Sequence, residues 1–293
     1  MPSSDLRKLF LLAALWGGSF IFMRISIADF GPLPLIEART VISAVFLLGV
    51  TVFTGKTQPM LDNWKPITML GFITVVLPFL CLGYAVQTLP AGALTVINAT
   101  VPLFGALVAW VWLKESLTRG RILGLVIGFV GIIVLMADKL SFAQDGQGWI
   151  VVLALGGPFF YGFGACYLTK YLKGVEPVSC ATGAMVAAGF MLAPFAIYTW
   201  PTTPISPLSW ASVAALAIFC SGIAYVIFYN LVARIGASKS LTATFLAPPF
   251  GVFWGVVLLD EALTINIVLG TTIVLAGTLL ATGFIGSSKA PAA

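Results

Sequence analysis

The sequence predicts an all-α membrane protein of ten transmembrane helices, built as two inverted-topology five-helix repeats. Three observations carry that prediction. The chain is 60% hydrophobic and only 9% charged. A soluble globular protein carries roughly 25% charged residues, and a water-soluble chain this apolar could not cover its surface. The apolar residues fall into ten runs close to the ~20-residue length that crosses a bilayer. A passage near the end of the first half also recurs near the end of the second, with its positive charges stripped out.

Cutting the chain at polar, glycine and proline clusters places the runs at 8–28, 34–54, 66–87, 91–113, 119–137, 148–169, 177–199, 208–231, 237–259 and 264–285. The first run follows Arg7 and Lys8 in the manner of a signal peptide. It is long enough to span, however, and no polar mature domain follows, so a retained first helix is expected. Lysine and arginine near the span ends set the orientation. With the N-terminus inside, Arg7, Lys8, Lys56, Lys65, Lys114, Arg119, Arg121, Lys170, Lys173, Arg234, Lys239 and Lys289 face the cytoplasm and Lys139 faces out. Both termini are then cytoplasmic, and one missed helix would scramble the bias.

The repeated passage explains the inversion. "PLFGALVAWVWLKESLTRGRILG" (102–124) and "PPFGVFWGVVLLDEALTINIVLG" (248–270) align without a gap at an offset of 146 (248 − 102). Phe104/Phe250, Gly105/Gly251, Glu115/Glu261 and Gly124/Gly270 coincide, but Lys114 becomes Asp260, and Arg119 and Arg121 become Ile265 and Ile267. Five spans is an odd number, so a duplicated unit inserts upside down. The loop after span four is cytoplasmic and keeps its cations, whereas its copy after span nine is external, where positive charge opposes insertion. The repeats are expected over 1–140 and 141–293. Gly17-Gly18 in span one matches Gly156-Gly157 in span six more weakly.

Several function classes are excluded. The net charge of +5 comes from basic residues that sit singly between apolar runs, so no nucleic-acid partner is expected. The cysteines Cys81, Cys166, Cys180 and Cys220 lie inside apolar runs without CxxC spacing, and there is no histidine. A metal site, a disulfide framework and a cofactor are therefore not expected. A membrane-embedded enzyme would need a convergent nucleophile, acid–base or metal cluster, and no Walker-type phosphate loop supports ATP hydrolysis. No ring of charges or filter sequence points to a channel.

The residues "LWGGSFIFMRI" (15–25), "PLIEARTVISA" (34–44) and the Pro-x-Phe-Gly…Glu-x-Leu-Thr…Gly passage ending each half resemble the EamA family of the drug/metabolite transporter superfamily, over nearly the whole chain. Amino-acid exporters of the YddG type are most similar in length and texture. The resemblance implies ten helices around a central cavity, and a multi-pass protein of the bacterial plasma (inner) membrane. Its partners would be the lipid bilayer and a small-molecule substrate, an amino acid or related metabolite moved outward. Export of drugs or other small metabolites is the alternative. The resemblance supplies no ligand signature, so candidate residues come from local chemistry.

In transporters built of inverted repeats, helices interrupted at matching points mark the site. Pro102 and Pro248 lie mid-span at equivalent positions, and each leaves the carbonyl four residues earlier, at Asn98 and Thr244, without its donor. Those groups face substrate, or are satisfied by neighbouring helices. Gly17, Gly18, Gly156, Gly157 and Pro158 mark weak points in spans one and six. Trp64, Trp110, Trp112, Trp149, Trp200 and Trp210 fall near span ends, as an interfacial belt requires. Trp16, Trp254 and Tyr161 do not, and are expected as cavity walls, with Tyr84, Gln87, Tyr225 and Asn230 supplying hydrogen bonds. Arg24, Glu37 and Arg39 are expected near the external interface, with Glu37 and Arg39 solvated or paired, which makes transport independent of an obligatory proton. The alternatives have Glu37 carrying a proton, or Arg24 holding a carboxylate. Glu115 and Glu261 are expected as helix-terminal features. Gly124-x-x-x-Gly128 and Gly251-x-x-x-Gly255 are small-residue packing faces that serve equally within one chain or between two, leaving a monomer open.

Overall fold

The computed structural model describes residues 3–137, 148–236, 240–241 and 243–281. Lys139, Ala237, Lys239 and Lys289, which enter the sequence arguments, lie outside them. All regular structure among the described residues is helical. The main helices are α1 (Ser3–Phe30), α2 (Pro32–Phe53), α3 (Trp64–Ala85), α4 (Ala91–Trp112) and α5 (Arg119–Leu135). They are followed by α6 (Gly148–Tyr171), α7 (Pro177–Tyr198), α8 (Pro207–Ile235), α9 (Ala243–Leu259) and α10 (Ile265–Ala281). Seven of them, α1 to α4 and α6 to α8, are long and apolar enough to cross a membrane, while α5, α9 and α10 run 17 residues each.

Local chemistry sets the ends. Prolines occupy the first turn of α2, α7 and α8, where a missing N–H costs nothing. Ser206 caps α8 by accepting the Ser209 N–H at 3.2 Å. Thr118 caps α5 by accepting the Arg121 N–H, and its equivalent Thr264 accepts the Ile267 N–H, at 3.4 and 3.3 Å.

The turn between the repeated helices is also duplicated. Lys114 and Asp260 are the non-glycine residues with positive φ among those described, at 60° and 51°. The next N–H, on Glu115 or Glu261, reaches back to Ala109 O or Gly255 O, 3.1 Å in both halves. The exchange of lysine for aspartate therefore changed charge and kept the backbone, and aspartate tolerates the left-handed region.

Helix pairing repeats in the same way. α1 packs on α9 as α6 packs on α4, α3 on α6 as α8 on α1, while α2 pairs with α7 and α5 with α10. Exchanging the two halves maps this set of contacts onto itself, as a two-fold arrangement requires. Along α5 and α10, Gly124 meets Ala281, Gly128 meets Gly277, Gly131 meets Val274 and Leu135 meets Gly270, so these two equivalent helices run antiparallel. Glycine at the crossings brings backbones into contact, which is how helices associate where lipid offers no hydrophobic drive.

Charged residues tie loop ends together. The Glu261 carboxylate, at the end of α9, accepts the N–H groups of Ala91 and Gly92 at 2.6 and 2.9 Å, and so caps α4. Such a charge-assisted cap at a helix N-terminus contributes about 1–2 kcal/mol. Asp29, at the end of α1, accepts from the Ser206 N–H and from the Ser206 and Ser209 hydroxyls at the start of α8. Lys56 pairs with Glu176 at 2.8 Å and Arg234 with Asp5 at 3.3 Å. Each of the two ion pairs joins segments that the charge bias assigns to the cytoplasmic face.

Candidate functional site

A cavity lined by residues of both halves lies where the halves meet. Its wall draws on α1 (Trp16, Ser19, Phe20, Met23), α2 (Arg39), α3 (Thr74, Leu82), α4 (Asn98, Val101), α6 (Tyr161, Gly164, Ala165, Leu168), α8 (Tyr225, Phe228, Tyr229) and α9 (Thr244), with Leu241. Trp16, Asn98, Tyr161, Tyr225 and Thr244, singled out from the sequence, thus lie on one cavity.

The remaining candidates lie elsewhere. Tyr84 and Trp254 are exposed, and the Trp254 ring packs on Phe253 rather than on the cavity. Asn230 donates its amide to Val226 O on its own helix at 2.8 Å. The period along α8 brings Tyr225 and Tyr229 inward and carries Asn230 off that face.

The proposed weak points divide as well. α4 breaks at Ala99 and Thr100, one residue short of Pro102, with Asn98 the last residue of its first segment. α9 instead continues as helix through Pro248 and Pro249. α1 and α6 run uninterrupted past Gly17-Gly18 and Gly156-Gly157-Pro158. Gly17, Gly156 and Gly157 serve close packing: an added Cβ would stand 2.7 Å from Ala247 O at Gly17, 2.8 Å from Cys81 Sγ at Gly156 and 2.7 Å from Leu82 Cγ at Gly157. Gly18 meets only Phe22, at 4.0 Å.

Two features went unread in the sequence. The first is a pair of π-helical turns, Phe72–Val76 in α3 and Leu216–Ile223 in α8, at matching places in the halves. Widened turns loosen the carbonyl ladder and are frequent at functional sites. Here the Tyr225 hydroxyl donates to Thr74 O at 2.9 Å, and the Ser43 hydroxyl donates to Ala217 O at 2.7 Å. Nothing in composition or spacing announces these turns.

The second feature is the position of α2's charges. Glu37 and Arg39 are buried, at 8% and 6% exposure, rather than solvated at an interface. Glu37 Oε2 has no hydrogen-bond partner among the described residues, so of the two grounds for expecting proton-independent transport the lack of histidine stands and the interfacial Glu37 does not. Arg39 Nε donates to Ser221 Oγ at 2.7 Å, Nη1 approaches Met23 Sδ at 3.7 Å, and the guanidinium carbon lies 3.8 Å from the Phe79 ring centroid. The available signal was distance along the helix: α2 begins at Pro32, and seven residues of rise carry Arg39 about 10 Å inward. Arg24 takes a structural part instead, donating to Val86 O and Gln87 O at 2.5 and 3.0 Å beyond the end of α3.

Polar atoms in the wall remain unpaired. Asn98 Oδ1 and the Tyr229 hydroxyl are buried without a hydrogen-bond partner among the described residues. The hydroxyls of Ser19 and Thr74 donate to carbonyls of their own helices, and that of Thr244 to Leu241 O just before α9, leaving lone pairs to accept. Trp16 and Phe228, 5.3 Å apart between centroids, supply aromatic surface.

The EamA-like transporter family matches this sequence twice, over residues 8–137 and 148–283. The chain belongs to that family. This EamA-family chain is a multi-pass membrane transporter. It is 24% identical over 276 residues to the uncharacterized transporter YvbV of Bacillus subtilis (strain 168), covering 92% of this chain and 88% of that protein. It is 24% identical over 272 residues to a probable terminal-alkyne amino-acid exporter of Streptantibioticus cattleyicolor, covering 93% and 91%. It is 27% identical over 262 residues to the uncharacterized inner membrane transporter YedA of Escherichia coli (strain K12), covering 87% and 83%. A solved crystal structure shares the fold over 97% of this chain and 98% of its own, with a TM-score of 0.73 and 18% identity.

Proposed function

We propose that the chain is a secondary carrier exporting amino acids or related small metabolites across the bacterial inner membrane. Residues 1–140 and 141–293 would act as two five-helix repeats of opposite orientation, with both termini cytoplasmic. The observation that carries this reading is the shared cavity: helices of both halves line it, and Asn98 Oδ1 and the Tyr229 hydroxyl lie unpaired among aromatic walls. Helices interrupted at the seam of repeats are where such carriers bind their cargo. A broken turn at Ala99–Thr100, with Asn98 beside it, suits the amino group of a zwitterion. Trp16, Phe228 and Tyr161 suit an apolar side chain without sharp selection, because apolar contacts discriminate one methylene by about 1–3 kcal/mol. The likeness to a probable terminal-alkyne amino-acid exporter supports the same substrate class.

The aromatic residues of the wall, Trp16, Phe20, Tyr161, Tyr225, Phe228 and Tyr229, also favour a second reading, export of apolar drugs. Efflux from proteoliposomes separates the two. Purified protein loaded with a panel of labelled neutral amino acids is expected to move them down their gradients without ATP, over a broad range of side chains. Movement of hydrophobic drugs with no amino-acid flux would overturn the leading reading, and the same assay with an imposed pH gradient reads the part of buried Glu37.

A further inference from the structure

Arg39 is a charge without a counter-charge. It is 94% buried by its 6% exposure, lines the cavity, and has no carboxylate within 4.0 Å among the described residues. A guanidinium carries five N–H donors in a planar fork. Ser221 Oγ takes one, a thioether sulfur is a weak acceptor for another, and Nη2 donates to none of the described residues. Phe79 stacks on the group from one side and Ser221 holds Nε, so the fork is fixed in place before anything binds. Charged residues inside a membrane face the protein interior or a cavity and mark substrate paths.

The rest of the wall sharpens the chemistry. No aspartate, glutamate or lysine lines the cavity among the described residues, and Glu37, two positions along α2 from Arg39, is not among the lining residues. The cavity therefore carries one positive charge and no negative one. A single guanidinium matches one planar monoanion through two parallel hydrogen bonds, whereas a phosphate dianion calls for several cations.

We propose that Arg39 is the anchor for a substrate carboxylate, and that the cavity selects organic carboxylates over amides and over organic cations. This rests on the carrier function argued above but not on the cargo being an amino acid. With the carboxylate on Arg39, the unpaired Asn98 Oδ1 is the acceptor in the wall for an amino group. Cationic drugs would meet Arg39 with no acid to offset it, so the proposal counts against cationic cargo.

The test pairs ligands that differ only at the carboxylate. Binding of leucine against leucinamide, and of isocaproate against isocaproamide, is measured by ligand-dependent thermal stabilisation of the purified full chain in detergent. Wild type is expected to prefer each carboxylate by about 30-fold or more, as a buried charge-assisted pair gives. In Arg39→Gln, folded by monodisperse elution and cooperative melting, the preference is expected to fall within about 3-fold, with Arg39→Lys between the two. An undiminished preference in folded Arg39→Gln overturns the proposal. So does equal binding of acid and amide, or no carboxylate binding, in wild type, which makes the test independent of how the variants fold. If isocaproate binds and leucine does not, the Arg39 anchor stands and the amino-acid reading fails. If leucine and leucinamide bind alike, the anchor fails while the carrier reading remains.

Discussion

Leucine at Gly277 is expected to leave no correctly folded protein. Gly277 sits where α10 crosses α5, and a Cβ there would stand 2.6 Å from Gly128 Cα and 2.8 Å from Gly124 O. These are backbone atoms of a packed helix, so no rotamer change relieves the clash. Even Gly277→Ala forces the helices apart, and overpacking of this kind costs about 1–3 kcal/mol. The symmetry-related contact is Gly131 on Val274, and in the same way Gly124 on Ala281 matches Gly270 on Leu135. Gly120, in the first turn of α5, meets nothing within 4 Å, and Gly120→Ala is the matched control. Detergent-extracted Gly277→Leu should elute as aggregate, Gly277→Ala should melt below wild type, and Gly120→Ala should match wild type. Normal melting of Gly277→Ala would mean that this crossing is looser than its glycines imply.

Alanine at Asn98 is expected to separate transport from stability. Asn98 Oδ1 is buried and accepts no hydrogen bond from the described residues, so its removal gives up none of their hydrogen bonds. An unsatisfied buried acceptor is itself a cost, so Asn98→Ala should melt at or above the wild-type temperature. Transport should fall about tenfold for all amino acids alike, the equivalent of ~1.4 kcal/mol of lost interaction. Thr244→Ala should fall less, because the Thr244 hydroxyl already donates to Leu241 O at 2.7 Å. A drop in melting temperature that accounts for the lost flux would make Asn98 structural, and normal flux in both variants would place the amino group elsewhere.

The helix positions were largely legible in the sequence. The helices fall within a few residues of most expected spans, because apolar run length and proline position act locally: Pro32, Pro177 and Pro207 each start a helix close to where the pattern begins. The duplicated Lys114 and Asp260 turn was visible as a conserved offset, since a backbone that needs positive φ tolerates few changes around it. Glu261 was expected at a helix end, but its partners, Ala91 and Gly92, lie on a helix that the sequence does not bring near. The inward face of each helix was harder. Trp254 and Trp16 look alike in composition and mid-span position, yet only Trp16 lines the cavity, because a helix hydrophobic on all sides carries no moment to orient it. Arg39 was misplaced for a related reason: Ser221 and Phe79, which hold it, come from α8 and α3, and no local pattern announces such long-range partners.

The central claim is that two halves of opposite orientation enclose one cavity, and labelling of equivalent turns tests it most directly. Ser116 and Ala262 are exposed, lie 146 residues apart (262 − 116) and follow Glu115 and Glu261 in the duplicated turn. Ser116→Cys and Ala262→Cys are made in a chain whose native cysteines show no reaction with a membrane-impermeant thiol reagent. In intact cells Ala262→Cys is expected to label, and Ser116→Cys only after the membrane is opened. Labelling of both positions from the same side would contradict the account.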